Sequence, residues 1–308
     1  MIGTPRIVSV VLPVFRDGAR ALQAARSLLP QHLPPDTLLE VVLVDDGSGD
    51  GTPELLGTLK DSRVHVLALG LNQGRSAARN AGAHFAGGDM VVFMDCDCLP
   101  LHDRFLSLHM EALDSGHIAS TGHVVGTGGG FWDRYQREAS SRRAIQHARG
   151  MPWSGSSQNM AVRKPAFEQV GGFDTGYRHY GFEDRDLLLR LSALGSIAWS
   201  AGSGVSHLDK LALRDVSRKM TEAGTFTSRR FATRHPQAYR GLGYAALDAR
   251  DHWWLRPLGA LLGPRLPAIA GRMDAVLLAD RVPYPLRKAL VRVVSALSFV
   301  YGTMRSSD

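Results

Sequence analysis

The sequence predicts an α/β protein: a mostly parallel central sheet flanked by helices, followed by a helical C-terminal extension. Apolar, β-branched runs alternate with helix-like segments through the first part of the chain, the pattern of βαβ units. Pro13, Asp45, Asp46, Asp95 and Asp97 all fall where those runs end, and open α/β sheets gather ligands outside the carboxyl ends of their strands. From residue 209 onward the strand-like runs give way to basic, helix-forming sequence.

Residues 7–14 form a continuous β-branched run and read as a buried strand. A helix over 19–29 is stopped by Pro30, and residues 40–46 (EVVLVDD) give a second buried strand. A short helix over 52–60, a strand over 64–67, a helix over 76–85 and a strand over 90–95 complete the alternation. Beyond it, residues 117–126 read as a strand, 128–130 as a glycine hinge and 132–147 as a polar helix. Residues 154–162 are a small-residue segment, 171–174 a turn, 183–194 a helix and 197–200 a last strand. A long basic helix is expected over 210–233 and an amphipathic one over 286–304, with Leu286, Leu290, Val293, Leu297, Val300 and Met304 on one face. The domain division expected is 1–235 and 236–308.

Charge is unevenly placed. Residues 1–208 hold 19 basic and 21 acidic side chains, whereas 209–308 hold 17 and 8. Such a basic region implies a partner such as nucleic acid, anionic lipid or a polyphosphate, although no nucleic-acid module is recognisable. Its helices, with Trp253 and Trp254 upstream, suit either peripheral membrane contact or packing on the core or in a homodimer. The N-terminus lacks a signal-peptide pattern, and a disulfide between the only cysteines, Cys96 and Cys98, would be strained. A cytoplasmic location is expected, with room for peripheral contact at the inner face of the membrane.

Asp95 and Asp97 leave a strand one residue apart, so strand alternation puts both carboxylates on one side and both cysteines on the other. Two carboxylates this close either clamp a hard divalent cation or cap the next helix as a solvated turn. A dinucleotide-binding G-x-G-x-x-G is absent after the first strand, and so is a Walker A lysine motif. In the run from Asn72 to Gly82, Ala77, Ala78, Ala81 and Gly82 permit close helix packing. Arg75 stands at that helix start to face a base or phosphate, and Arg79 is either a ligand or an internal ion-pair partner.

The ordered runs VSVVLPVF, VVLVDDGSGDGT, NQGRSAARNAG, VVFMDCDC, NMAVRKPAFEQVGGFD and GFEDRDLLLRL, spanning residues 7–207, resemble the family-2 glycosyltransferases. The resemblance implies a GT-A nucleotide-diphospho-sugar transferase fold and an inverting, metal-dependent hexosyl- or N-acetylhexosaminyltransferase. It implies that Pro13, Val14, Phe15, Asp45, Asp46, Arg75 and Asp95 surround the nucleotide, which is usually uridine. Asp97, with Asp95 and His207, would hold Mn²⁺ or Mg²⁺. Asp184 would be the general base with Glu183 orienting it, and the dipole of a helix N-terminus favours the ionised form. Trp153, Asn159 and Arg163 would line the donor and acceptor, and Lys210 or Arg214 would close over the diphosphate. The partners implied are a nucleotide sugar, UDP-sugar first, and a glycan, lipid-linked, peptide or small-molecule acceptor. A bulky Tyr180-Gly181-Phe182 precedes the acidic pair, which implies a bulkier acceptor floor, and no Q-x-x-R-W follows the pair, which argues against processive synthesis. A non-catalytic scaffold subunit of an envelope-synthesis complex is the rival reading.

Overall fold

A computed structural model describes residues 5–306 except Thr127 and Asp280. The chain packs as two compact units. One comprises the residues up to Gly128 with Gln136–Thr175 and Asp184–Asp209; the other comprises Gly129–Tyr135, Gly176–Glu183 and the residues from Lys210 on. By packing, residues 210–235 therefore go with the C-terminal helices.

The first unit is built on one sheet: β1 (Arg6–Val14), β2 (Thr37–Asp45), β3 (Val64–Ala68), β4 (Met90–Met94), β5 (Cys98–Pro100), β6 (Ala119–Val125), β7 (Asn159–Arg163) and β8 (Ile197–His207). Their order across the sheet is β3-β2-β1-β4-β7-β6-β8-β5. The β1, β2, β3 and β4 pairings are parallel, as is β6 with β8, while β7 and β5 run against their neighbours. Helices α1 (Gly18–Leu28), α2 (Thr52–Leu56), α3 (Arg75–Phe85), α4 (Phe105–Asp114), α5 (Phe131–Ala148), α6 (Lys164–Gln169) and α7 (Glu183–Ser192) connect them, although the start of α5 up to Tyr135 and Glu183 of α7 are counted with the second unit.

Strand alternation splits the core between the two faces. Val8, Val10, Leu12 and Val14 pack with α1 and α4, and Val11, Val42, Val44, Val91 and Phe93 with α3 and α7. The small side of α3 lies close on the sheet: a Cβ on Gly82 would sit 2.4 Å from a Val11 methyl carbon. Helices α4 and α6 were not expected, the strand expected over 197–200 runs on to His207, and the helix expected over 52–60 ends at Leu56. Residues 154–162 resolve into the end of a 3₁₀ turn (Pro152–Ser154) and most of β7.

The second unit holds α8 (Leu213–Glu222), a π-helical stretch (Ala223–Thr227), α9 (Ser228–Arg234), α10 (Pro236–Gly241), α11 (Arg256–Leu262), α12 (Leu266–Leu278) and α13 (Tyr284–Arg305). The helix expected over 210–233 thus starts at Leu213, with Arg214 inside its first turn, and is wound locally into a π-helix.

The stripe expected on α13 coincides with its buried face only in part: Val300 is buried and Leu290 half-buried. Leu286 and Val293 are 62% and 55% exposed, whereas Val291, Val294, Ser298, Gly302 and Thr303 are buried. One cause is a close helix approach: a Cβ on Gly224 would lie 3.0 Å from Gly302 Cα, and one on Gly302 would lie 2.3 Å from the Thr221 carbonyl oxygen. Ser217 and Ser298 share a hydrogen bond of 2.7 Å along the same seam. Backbone proximity at the glycines acts together with burial of Val291, Val294, Phe299 and Val300 in setting the rotation of α13.

Candidate active site

The sheet's carboxyl end collects the acidic residues, but by a different route from the one expected. Strand β4 stops at Met94, so Asp95, Cys96 and Asp97 form a turn in which the Cys98 N–H donates to the Asp95 carbonyl at 3.0 Å. Strand alternation therefore does not set the direction of the two carboxylates, and each has its own partner. Asp95 takes the buried Arg79 guanidinium at 2.6 Å. Burial opposes ionisation of Asp95, but Arg79 and then Arg75 outweigh it and hold the carboxyl below its usual range. Arg79 is thus the internal ion-pair partner.

Asp97 faces His207 instead. The β5–β8 register sets Cys98 opposite His207, and the Leu208 N–H donates to the Asp97 carbonyl at 2.8 Å. This brings His207 Nε2 to 3.3 Å from Asp97 Oδ2. Asp209, two residues on, joins them: one ligand atom from each of Asp97, His207 and Asp209 lies within 4.8 Å of the others. Burial works against a proton on His207, but Asp97 and then Asp209 and Asp95 raise its pKa above the ordinary value. Asp209 also accepts from Arg20 at 2.5 Å. The sequence reading missed Asp209; its signal was its position two residues beyond His207.

The other strand ends are tied down by short-range bonds. Asp45 accepts the Ser48 N–H at 3.2 Å and the Ser48 hydroxyl. Asp46 accepts the Gln73 and Gly74 N–H groups at 2.8 and 2.9 Å, and burial raises its pKa against those two bonds. Both carboxylates are buried, so Asp46 pins the loop that leads into α3. Arg75 opens that helix and is exposed, Pro13 is half-buried, Val14 is in the core, and Phe15 is 44% exposed beside Arg16. Both cysteines are free thiols whose pKa burial pushes up.

Asp184 reaches the same end of the sheet through β7. Asn159 lies opposite Met94, its N–H donates to the Ser156 carbonyl at 3.0 Å, and the Ser156 hydroxyl donates to Asp184 Oδ2 at 3.1 Å. Asp184 Oδ1 is buried with no hydrogen-bond partner among the described residues. Glu183 belongs to the second unit, as does Lys210, and its carboxylate accepts the Gly181 N–H at 3.1 Å. Phe182, with φ of +72°, turns the chain ahead of α7 and stacks on Phe231, so its ring is packed away rather than laid open as a floor.

Two expected donor-lining residues do other work. Asn159 is fully buried, spanning His109, the His123 carbonyl and the Ser203 carbonyl at 2.8, 2.9 and 2.7 Å. Arg163 pairs in register with Met90, at the far end of β4 from Asp95, and donates to the Leu113 and His117 carbonyls. A five-residue strand separates it from the carboxylates. Trp153 is half-buried against the core on the α3 and α7 side.

The donor set of Asp97, His207 and Asp209 fits a hard divalent ion: two carboxylates and an imidazole leave further positions for water and diphosphate oxygen. His207 turns Nε2 toward Asp97, and its buried Nδ1 has no hydrogen-bond partner among the described residues.

A model of glycosyl transferase family 2 matches residues 9–171, more than half of the chain. The chain belongs to that family. A second model, the N-terminal domain of galactosyltransferase, matches residues 152–199. The glycosyltransferase AglE of Haloferax volcanii is 29% identical over 187 residues, covering 56% of this chain and 58% of its own. The pre-mycofactocin glycosyltransferase of Mycobacterium tuberculosis is 30% identical over 304 residues, 95% of this chain and 61% of its own. The chain thus spans about three fifths of the length of each of these two relatives. Among solved structures, a mannosyltransferase from Pyrobaculum calidifontis, in complex with GDP-Man and Mn²⁺, superposes with a TM-score of 0.64 at 19% identity, covering 97% of this chain and 87% of that one. The fold is of the GT-A type, as the resemblance implied.

Proposed function

We propose that this chain is an inverting, metal-dependent glycosyltransferase that moves a sugar from a nucleotide-diphospho-sugar, a UDP-sugar first, to an acceptor hydroxyl. The observation that carries the reading is the arrangement at one sheet end: Asp97, His207 and Asp209 within ligand distance of one another, and Asp184 fixed through Ser156 at the same strand ends. Residues 1–235 hold the catalytic functions on this reading, with the remainder an extension.

Asp97, His207 and Asp209 would hold Mn²⁺ or Mg²⁺, and the ion, when bound, neutralises charge on the departing nucleoside diphosphate. Asp184 Oδ1 takes the proton of the acceptor hydroxyl while Ser156 keeps the carboxylate oriented. The acceptor oxygen bonds to the anomeric carbon as the bond from that carbon to the phosphate oxygen breaks, so the configuration inverts. Arg75 faces the nucleotide from the start of α3, and Arg79 keeps Asp95 ionised beside it.

The test is a thermal-shift panel of UDP-, GDP- and dTDP-sugars with and without Mn²⁺, followed by an assay of slow donor hydrolysis. UDP-glucose is expected to stabilise the protein only with Mn²⁺ and to be hydrolysed slowly. Stabilisation by GDP-mannose alone would overturn the uridine assignment, and stabilisation independent of metal would overturn the metal assignment.

A further inference from the structure

Helix α11 presents two opposed faces. Gly259 and Gly263 lie against α13: a Cβ on Gly259 would fall 2.2 Å from Met304 Sδ, and one on Gly263 would fall 2.1 Å from the Tyr301 ring. That close approach sets the rotation of α11, and at helical spacing the opposite side carries Leu258 and Leu261, with Trp254 in the 3₁₀ turn before the helix and Arg265 in the 3₁₀ turn after it. It is open: Trp254 is 57% exposed, Leu258 42%, Leu261 63% and the adjoining Trp253 72%. An apolar stripe this continuous, headed by two tryptophans, marks an interaction surface rather than scattered surface residues.

Its charge says which partner fits. Between Asp251 and Asp274 the chain runs 22 residues without an acidic side chain and includes Arg256, Arg265 and Arg272. Asp274 itself is turned to the start of α8, where it accepts the Leu213 N–H at 2.6 Å. A second copy would set arginines against arginines with no acid to meet them. Nucleic acid would satisfy the arginines but leave Leu258 and Leu261 in water.

We propose that this face of α11 docks on an anionic lipid surface. Trp253 and Trp254 sit at headgroup level, Leu258 and Leu261 enter the acyl boundary, and Arg265 meets the phosphates. The contact is interfacial, because no helix among the described residues is long and apolar enough to cross a membrane. It relocates the membrane-facing surface from the α13 stripe to α11, and it is independent of the donor chemistry proposed above.

The test is co-sedimentation of the full chain with vesicles of phosphatidylcholine containing one third phosphatidylglycerol, against vesicles of phosphatidylcholine alone. The protein is expected to bind the mixed vesicles and to lose that binding as salt rises. Leu258→Glu with Leu261→Glu should lower partitioning by about tenfold or more. Arg265→Gln should lower it about fivefold on mixed vesicles and leave pure phosphatidylcholine unaffected. The proposal is overturned if the unaltered chain ignores mixed vesicles, or if both variants bind as it does. It is overturned equally if, without lipid, the chain forms a dimer that the leucine variant abolishes, since the occupant is then a second copy.

Discussion

Among single side chains, Asp184 carries the sharpest expectation. One oxygen is held by Ser156 and the other is unpartnered among the described residues. Asp184→Asn should lower transfer by ~10²–10⁴-fold, the usual worth of a general base, while calorimetry still finds Mn²⁺-dependent nucleotide binding. Retained transfer would remove Asp184 from the mechanism. Arg79 has a structural consequence instead: Arg79→Met removes the ion-pair partner of the Asp95 carboxylate and should cost about 3 kcal/mol in urea unfolding. His109 supplies a pH dependence. Fully buried between Ser120 and Asn159, it has its pKa pushed by burial down to about 4. Between that value and an unfolded value near 6.5 the unfolded chain binds the extra proton, so stability falls as pH drops through this window, by roughly 3 kcal/mol. In His109→Gln that part of the acid dependence should vanish from denaturation curves, whatever the variant's stability at neutral pH.

At the level of elements, small residues decide what apolar spacing leaves open. Hydrophobic periodicity marked α13 as a helix, but Gly302 against Gly224, with Ser217 on Ser298, helped choose which side it buries. Gly302→Leu should therefore destabilise the protein by at least ~1–3 kcal/mol, read as a lower melting temperature, whereas Val293→Ala on the exposed side should be nearly neutral. Helix α4 escaped notice because its inner face includes His109, whose hydrogen bonds replace the apolar contact that a periodicity count detects. Strand β8 was expected too short because Ser200, Gly202, Gly204 and Ser206 interrupt its β-branched pattern. Cross-strand pairing with β6 and β5 carries it to His207.

For the molecule as a whole, the candidate metal centre joins residue 97 to residues 207 and 209, more than a hundred positions further along the chain. A ligand held only by the folded chain stabilises it by mass action, about 2.7 kcal/mol at a hundredfold excess over Kd. Mn²⁺ should therefore raise the melting temperature, EDTA should reverse the gain, and Asp97→Asn should abolish it. An equal shift in that variant would place the ion elsewhere.

The sequence alone determined the alternation of strands and helices, the gathering of acidic residues at strand ends and the family resemblance. Each of these is written in local order, residue by residue. It could not determine that Asn159 is a buried tie, that Arg163 stands at the wrong end of β7, or that Asp95 belongs to Arg79 while Asp97 belongs to His207. Those outcomes depend on strand direction and register. The antiparallel run of β7 sends Arg163 away, and the pairing of Cys98 with His207 completes the acidic cluster. The tertiary structure also decided which face of α11 remains exposed, because Met304 and Tyr301 side chains seated on two glycines left the tryptophans and leucines on the outside.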